Sequence, residues 1–371
     1  MAKKKSSFKR IKRPAKLCFL SYLGDVQGCG TIRIIYPYLL LNHYKQKDLN
    51  VNTVFMQNFV YDPNFYKNFT FVQFQRSATK HHLDIFKYVR QEIQVNQGMK
   101  VPIVYEIDDL LIDIPEWNFA SSYYKENLNY VEKMMGLSNV IICSTPKLKE
   151  IYSKYNKNIK VIPNHLPKFI WGDIFPAHDY YKEGSKIKIL WAGSQNHFAL
   201  PGMEKANITG GDFGKELLNF IKKTVDVYEW NLMGAMPMEL RSVMDKIKFT
   251  PFQNIFNYPR FLKNIEPDIC IAPLEDSVFN SCKSNIKMLE YTACGSAGVF
   301  SNVEPYKKAK LKCDTDEEMI SYIERLAGDI DFRAKTYRKD REAVREQLWW
   351  EENNNLRKYI ESYLNSFGKT L

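Results

Sequence analysis

The chain has 371 residues, 45% of them hydrophobic, with 53 Lys and Arg against 42 Asp and Glu and a formal net charge of +11; its mean hydropathy is −0.39. These values exclude a mini-protein, a disordered tail and an integral membrane protein, and at roughly 100–200 residues per domain they predict two domains, each with its own core. No apolar run reaches the ~20 residues of a membrane-spanning helix, and the N-terminus has no signal-like apolar stretch, so a cytoplasmic protein is expected.

The first segment, residues 1–16, is a basic arm: Lys3, Lys4, Lys5, Lys9, Arg10, Lys12, Arg13 and Lys16 with no acid. Without these eight charges the formal +11 falls to +3, so the rest is nearly neutral. Such a block is usually solvated. It reads as an inert solubility tail, as an arm drawing nucleic-acid phosphates by counterion release, or as an arm resting on anionic lipid.

Behind the arm, β-branched and aromatic runs alternate with helix-length segments, the pattern of parallel sheets with crossover helices. Strands are predicted at 16–21, 52–59, 69–74, 103–107, 140–144 and 160–163. After a polar stretch at 173–185 the pattern begins again, with strands at 187–192, 229–233, 246–250, 269–272 and 298–301. The expectation is an α/β protein of two Rossmann-like domains, 17–180 and 185–345, jointed near Gly184 and facing one cleft. In the last segment, 346–371, Trp349, Trp350, Leu356, Tyr359, Ile360, Tyr363 and Leu364 form a stripe near helical spacing, expected to pack a terminal helix back near the domain joint. The seven cysteines are odd in number and form no CxxC pair. Cys18, Cys143, Cys270 and Cys294 sit in apolar surroundings, so buried reduced thiols are expected, with neither a disulfide framework nor a structural metal.

In open parallel sheets, ligands bind beyond the C-terminal strand ends. The first strand runs into Gly24-Asp25-Val26-Gln27-Gly28-Cys29-Gly30-Thr31, where closely spaced glycines let backbone N–H groups approach a phosphate. The GxGxxG pattern is not met, since Arg33 stands at its third glycine, and a plain tight turn fits equally well. Asp108 and Asp109 close the fourth strand, where two carboxylates can accept from a hydroxyl, assist its deprotonation, hold a cation, or only cap the next segment. In Lys283-Ser284-Asn285-Ile286-Lys287-Met288-Leu289-Glu290-Tyr291 a capping residue precedes an apolar helical period, with Lys283 and Lys287 about one turn apart. Two such cations repel unless an anion sits between them; a solvated basic face is the plainer alternative. Glu290 is spaced to pair with Lys287 or to bind sugar hydroxyls. Ser194 and His197 follow the first strand of the second domain, and His165 follows the last strand of the first. A single histidine is more often structural than catalytic, but both are expected at the cleft.

This order of features resembles the GT-B glycosyltransferases, particularly the retaining enzymes of glycosyltransferase family four, over most of the chain behind the arm. The resemblance rests on Gly28 and Gly30, on Val161-Ile162-Pro163-Asn164, on Trp191-Ala192-Gly193-Ser194, and on Pro267 to Leu274 preceding Lys283 to Tyr291. It implies a nucleotide-diphosphate sugar co-substrate, a UDP-sugar, held mainly by the second domain, and no tightly bound cofactor or metal. By position it gives Glu290 to the nucleotide ribose, Phe252 and Tyr258 to the base, and Lys283, Lys287 and the amides after Ser284 and Asn285 to the diphosphate. Where the family often carries a second glutamate near the sugar, this chain has Cys282. Front-face attack, with the leaving phosphate helping to take the acceptor proton, is implied by the family alone.

Residues 72–76 and 105–109 look like a subset of this family found in tailed phages and bacteria, whose acceptors include hydroxymethylated bases in DNA and cell-envelope glycans. The basic arm, with Lys9 and Arg10, together with Arg76 and Lys80 suits a polyanionic acceptor. Duplex DNA is therefore the expected partner, in the host cytoplasm if the protein is phage-encoded. The alternatives are an envelope glycosyltransferase at the cytoplasmic membrane face, its arm on anionic lipid, and a non-catalytic binding module.

Overall fold

The computed structural model describes residues 15–44, 49–172, 185–203 and 210–368. Lys9 and Arg10 in the arm and the joint at Gly184 lie outside the described residues.

Two six-stranded parallel sheets form the frame. The first contains β1 (Ala15–Tyr22), β2 (Leu49–Met56), β3 (Phe71–Gln75), β4 (Ile103–Ile107), β5 (Val140–Cys143) and β6 (Ile159–Val161), in the order β2-β1-β3-β4-β5-β6. The second contains β7 (Lys188–Gly193), β8 (Glu229–Gly234), β9 (Lys248–Pro251), β10 (Ile269–Ala272), β11 (Ala297–Ser301) and β12 (Lys312–Cys313), in the order β12-β11-β10-β7-β8-β9. Every residue of β3, β4, β5 and β10 is buried, as expected where helices cover both faces of a parallel sheet. The eleven predicted strands all occur. The short β12 went unread because two residues carry no period. β2 begins earlier than predicted, since an edge strand tolerates the exposed Asn50 and Asn52. Phe59, read as its end, instead packs a loop onto Tyr22 at 4.5 Å between ring centroids.

The terminal stripe crosses between the domains. The adjacent tryptophans part company: Trp349 packs with Leu190, Cys270 and Leu289 of the second domain, and Trp350 with residues of the first. Leu166 and Trp349 form a parallel bridge at this crossing. The helix Asn355–Ser366 then lies on the first domain, where the Tyr363 ring stacks on Phe71 at 4.6 Å and 6° and its hydroxyl donates to Gln73 Oε1 at 2.6 Å. All seven cysteines are free. Cys143, Cys270 and Cys294 are buried as expected, while Cys18 is only partly so. Among the described residues no helix is long and apolar enough to cross a membrane.

Candidate active site between the two sheets

Each sheet reverses its winding once, between β1 and β3 in the first and between β7 and β10 in the second. Strand ends diverge at such a point and leave a crevice. The loops after these four strands face one another across a cleft of about 280 Å³, lined by Gly28, Arg76, Ser194, His197, Lys283 and Lys287 among others. Both sides touch: Trp117 Nε1 donates to Glu275 Oε2 at 3.3 Å, Asn118 Nδ2 to the Asn196 carbonyl at 3.3 Å, and Tyr36 Oη to the Ile255 carbonyl at 3.0 Å.

On the second-domain side the predicted helix runs Ile286–Ala293, with its N-terminal end at the cleft. Lys283 Nζ lies 4.8 Å from the Phe279 ring centroid and makes no ion pair with a described residue. Lys287 Nζ is 2.9 Å from Glu290 Oε2 and donates to Tyr258 Oη at 3.3 Å; that hydroxyl donates to the same carboxylate oxygen at 2.9 Å. The two lysines are therefore not equivalent, because one is compensated and the other is not. Phe252, 55% exposed, lines the cleft beside Tyr258.

His197 Nδ1 is 2.7 Å from Asp212 Oδ2. Burial first, then the neighbouring Lys283, push the imidazole pKa below its ordinary value, while the Asp212 hydrogen bond pulls the other way. Ser194 caps the short turn Gln195–His197, accepting from Asn196 N at 3.4 Å.

On the first-domain side the chain is helical from Gly28 to His43, with a π-helical stretch at Thr31–Ile35. A Cβ on Gly30 would fall 1.8 Å from the Asp25 carbonyl oxygen, so packing demands that glycine; Gly28 has open space around it and lines the cleft. Arg33, where a dinucleotide motif would have glycine, is buried. Its Nε donates to Glu106 at 2.6 Å, and its Nη1 to the Ile162 carbonyl and to Asn164 Oδ1, both at 2.7 Å.

Asp108 and Asp109, just after β4, line the cleft. Arg76, in the left-handed region at φ 48°, places Nη1 at 3.1 Å from Asp109 and 3.8 Å from Asp108, and donates to Cys29 Sγ at 2.6 Å. Desolvation, followed by the like charge of Asp109, pushes the Asp108 pKa up to about 7 against the pull of Arg76. Asp108 Oδ1 is buried with no hydrogen-bond partner. The ligand atoms of Cys29, Asp108 and Asp109 lie within 4.8 Å of one another, near enough for a cation, and the Arg76 guanidinium already supplies positive charge among them.

Three sequence expectations are corrected. His165 lies outside the cleft: its Nδ1 is 2.6 Å from the Gln347 carbonyl, its ring 4.3 Å from that of Trp350, and burial pushes its pKa down to about 4. It is part of the packing where the terminal segment crosses. Asn285 faces Gln347 rather than the cleft, exchanging two amide hydrogen bonds with it at 3.0 and 2.9 Å, while Ser284, which does line the cleft, accepts from Asn164 Nδ2 at 2.8 Å. Arg76 and Lys80 do not form a polyanion surface, because Arg76 is turned onto two aspartates and Lys80 lies outside the cleft, exposed, paired with Asp84 at 2.7 Å. Sequence reading missed Cys29 and Asp212. The signal for Asp212 was the Gly210-Gly211 pair before it, both residues at positive φ, 119° and 148°, a backbone bend that only glycine adopts readily and that turns the aspartate inward.

No family model and no curated protein matches the sequence. Solved structures do match in shape. An α-glucosyltransferase in complex with UDP-glucose and DNA containing an abasic site superposes with a TM-score of 0.60 at 10% identity, covering 93% of this chain and 98% of that one. An α-glucosyltransferase in complex with UDP and a 13-mer DNA containing a central A:G mismatch gives 0.56 at 12% identity, covering 93% and 99%. The N-terminal domain of Candida albicans trehalose-6-phosphate phosphatase gives 0.51 at 10% identity, covering 97% and 98%. The fold is that of GT-B glycosyltransferases.

Proposed function

We propose that the protein is a glycosyltransferase that moves a sugar, with retention, from a UDP-sugar to a hydroxymethylated base in duplex DNA. One observation carries the glycosyl-transfer reading: a cleft at both switch points holds cations beside a helix N-terminus on one side and a carboxylate pair on the other. That division suits a reaction whose leaving group gains negative charge while its nucleophile loses a proton.

Lys283, Lys287 and the first amides of Ile286–Ala293 hold the diphosphate and stabilise the charge that grows on it. Phe252 and Tyr258 flank the nucleoside. Glu290 keeps Oε2 on Lys287 and Tyr258, leaving Oε1 to accept from a ribose hydroxyl. Asp108, with its pKa near 7, is able to accept the acceptor's proton as its hydroxyl attacks, and the leaving phosphate on the same sugar face shares that role. The positive guanidinium of Arg76 between Asp108 and Asp109 keeps the acceptor edge from repelling the anionic donor.

Two features support the DNA acceptor: the basic arm, and the likeness in fold to α-glucosyltransferases solved with UDP or UDP-glucose and DNA. A base inside a duplex is reached by flipping it or through its groove-facing hydroxymethyl group. The test is a mass-spectrometric screen of UDP-sugars against unmodified duplex, hydroxymethylcytosine duplex and lipid-linked glycan. A hexose or pentose adduct on the hydroxymethylated duplex alone is the expected result. An adduct on the glycan alone replaces the acceptor, and no adduct or donor hydrolysis with any donor replaces the enzyme by a binding module.

A further inference from the structure

The Asp212 carboxylate has no exposed side-chain surface and its oxygens are divided. Oδ1 accepts from Glu275 N at 2.9 Å and from Asn280 Nδ2 at 2.6 Å; Oδ2 faces His197 Nδ1 at 2.7 Å. The ring is fixed elsewhere too. It stands edge-on to Trp191 at 5.6 Å and 87°, and the Asp212 amide donates to the His197 carbonyl at 2.7 Å. An ionised carboxylate only accepts, so Nδ1 carries the proton and the neutral ring has its lone pair on Nε2. His197 lines the cleft, on the side where Asn196 and Glu275 meet Asn118 and Trp117 of the first domain. Phe252 and Tyr258 line the nucleoside side. Lys283, Lys287 and Asp212 are the charged groups that act on the ring.

We propose that Asp212 is a positioning residue that fixes the His197 tautomer, so that Nε2 accepts a hydrogen bond from a hydroxyl of the donor's sugar. The sugar contact rests on the UDP-sugar reading above; the tautomer does not. A lysine already stands at this corner to meet phosphate charge, and the His197 lone pair adds an acceptor for hydroxyls beside the unpartnered Asn196 Oδ1. The division of the Asp212 oxygens makes an isosteric test sharp. In Asp212→Asn the amide oxygen must stay on Glu275 N and Asn280 Nδ2, since both are donors. The new NH₂ therefore faces His197 Nδ1, which must become the acceptor, and the ring proton moves to Nε2. One substitution of nearly constant shape reverses the hydrogen-bonding sense of the nitrogen that faces the cleft.

Nitrogen-15 NMR of His197 in the unliganded protein at pH 7.5 should show the Nδ1–H tautomer in the wild type and the Nε2–H tautomer in Asp212→Asn. The Nε2–H tautomer or an imidazolium in the wild type overturns the proposal. Calorimetry should show UDP-glucose binding weakened about threefold to tenfold by Asp212→Asn, because the hydroxyl gives up donating to Nε2 and must turn to accept from it, at the expense of its other hydrogen bonds, with UDP binding within about twofold of wild type. Equal loss for both ligands makes the dyad a phosphate or folding element and overturns the sugar contact, as does no loss for either. In a His197→Ala background the Asp212→Asn effect should vanish; its persistence means Asp212 acts otherwise than through His197. Should Asp212→Asn unfold, His197→Phe, which keeps the ring and removes the acceptor, must show the same selective loss of UDP-glucose binding or the sugar contact falls. Wild type that binds neither nucleotide refutes the donor reading and the sugar contact, and leaves the tautomer to be decided by NMR.

Discussion

The two edges of the cleft are built from the same architecture, strand ends at a winding reversal, yet they handle charge in opposite ways. On the first-domain edge the carboxylates of Asp108 and Asp109 share a single guanidinium, and burial, followed by the like charge of Asp109, leaves Asp108 with a pKa near 7. On the second-domain edge one lysine is compensated by Glu290 and another, Lys283, faces the cleft without an ion pair to a described residue. Two acids over one cation make a site able to take up a proton near neutrality; an uncompensated cation beside a helix N-terminus makes a site for an anion. The contrast teaches that residue count is a poor guide to local charge, since both edges contain lysine or arginine together with acid.

The largest effect should come from the acid edge. Asp108→Asn removes the proton acceptor, and kcat for transfer should fall by about 10²–10⁴. In the wild type, kcat should rise with pH through about 7 and then level, because the carboxylate must be ionised to act; the variant should lose that limb. Stability moves the other way. The folded pKa of Asp108 lies above its ordinary 3.8, so its contribution is fully present below about 4 and is lost as pH rises through about 7. Asp108→Asn should therefore unfold at higher temperature than wild type at pH 8, worth on the order of 1 kcal/mol or more, with the advantage fading at pH 4. A kcat profile without a limb near 7 would dissolve the comparison between the two edges.

On the cationic edge, Lys287→Ala should reduce kcat/KM by about tenfold to a hundredfold. It also strands the Glu290 carboxylate, 6% exposed, which burial penalises. Lys287→Met with Glu290→Gln removes both charges together and should retain the wild-type unfolding temperature more closely while still losing donor binding. If the paired variant binds UDP as well as wild type, the anion belongs to Lys283 and the helix terminus alone.

Much of the frame was legible because parallel strands buried on both faces read as near-continuous apolar runs, as Val140–Cys143 and Ile269–Ala272 do. The helix Ile286–Ala293 could be read from its period and from Gly295 after it. The site was legible in its residue types and less so in its pairings. Nothing in the spacing of Arg76 says that its left-handed backbone turns the guanidinium onto aspartates thirty-two and thirty-three positions later. His165 and His197 look alike in sequence, each just beyond a strand. One is packed under Trp350 by a segment 185 residues away, and the other is held toward the cleft by Asp212. Such long-range partners are set by topology, which local pattern does not encode.

The smallest effects separate charges that the sequence places in one class. Arg76 and Lys80 both read as acceptor-side cations, but Lys80 is 71% exposed at its side chain and pairs with Asp84 within its own helix. Exposed pairs of that kind contribute little. Lys80→Ala should leave kcat and duplex affinity within about twofold of wild type, with the unfolding temperature unchanged. Removing residues 1–13 deletes seven of the eight arm charges. If the arm meets phosphates, each released counterion steepens the fall of affinity with salt. The truncated protein should then bind duplex less tightly at low salt and show a flatter salt slope, while donor hydrolysis without acceptor is unchanged. Loss of liposome binding with an unchanged duplex slope would move the arm to a lipid surface, and loss of donor hydrolysis would tie it to the cleft itself.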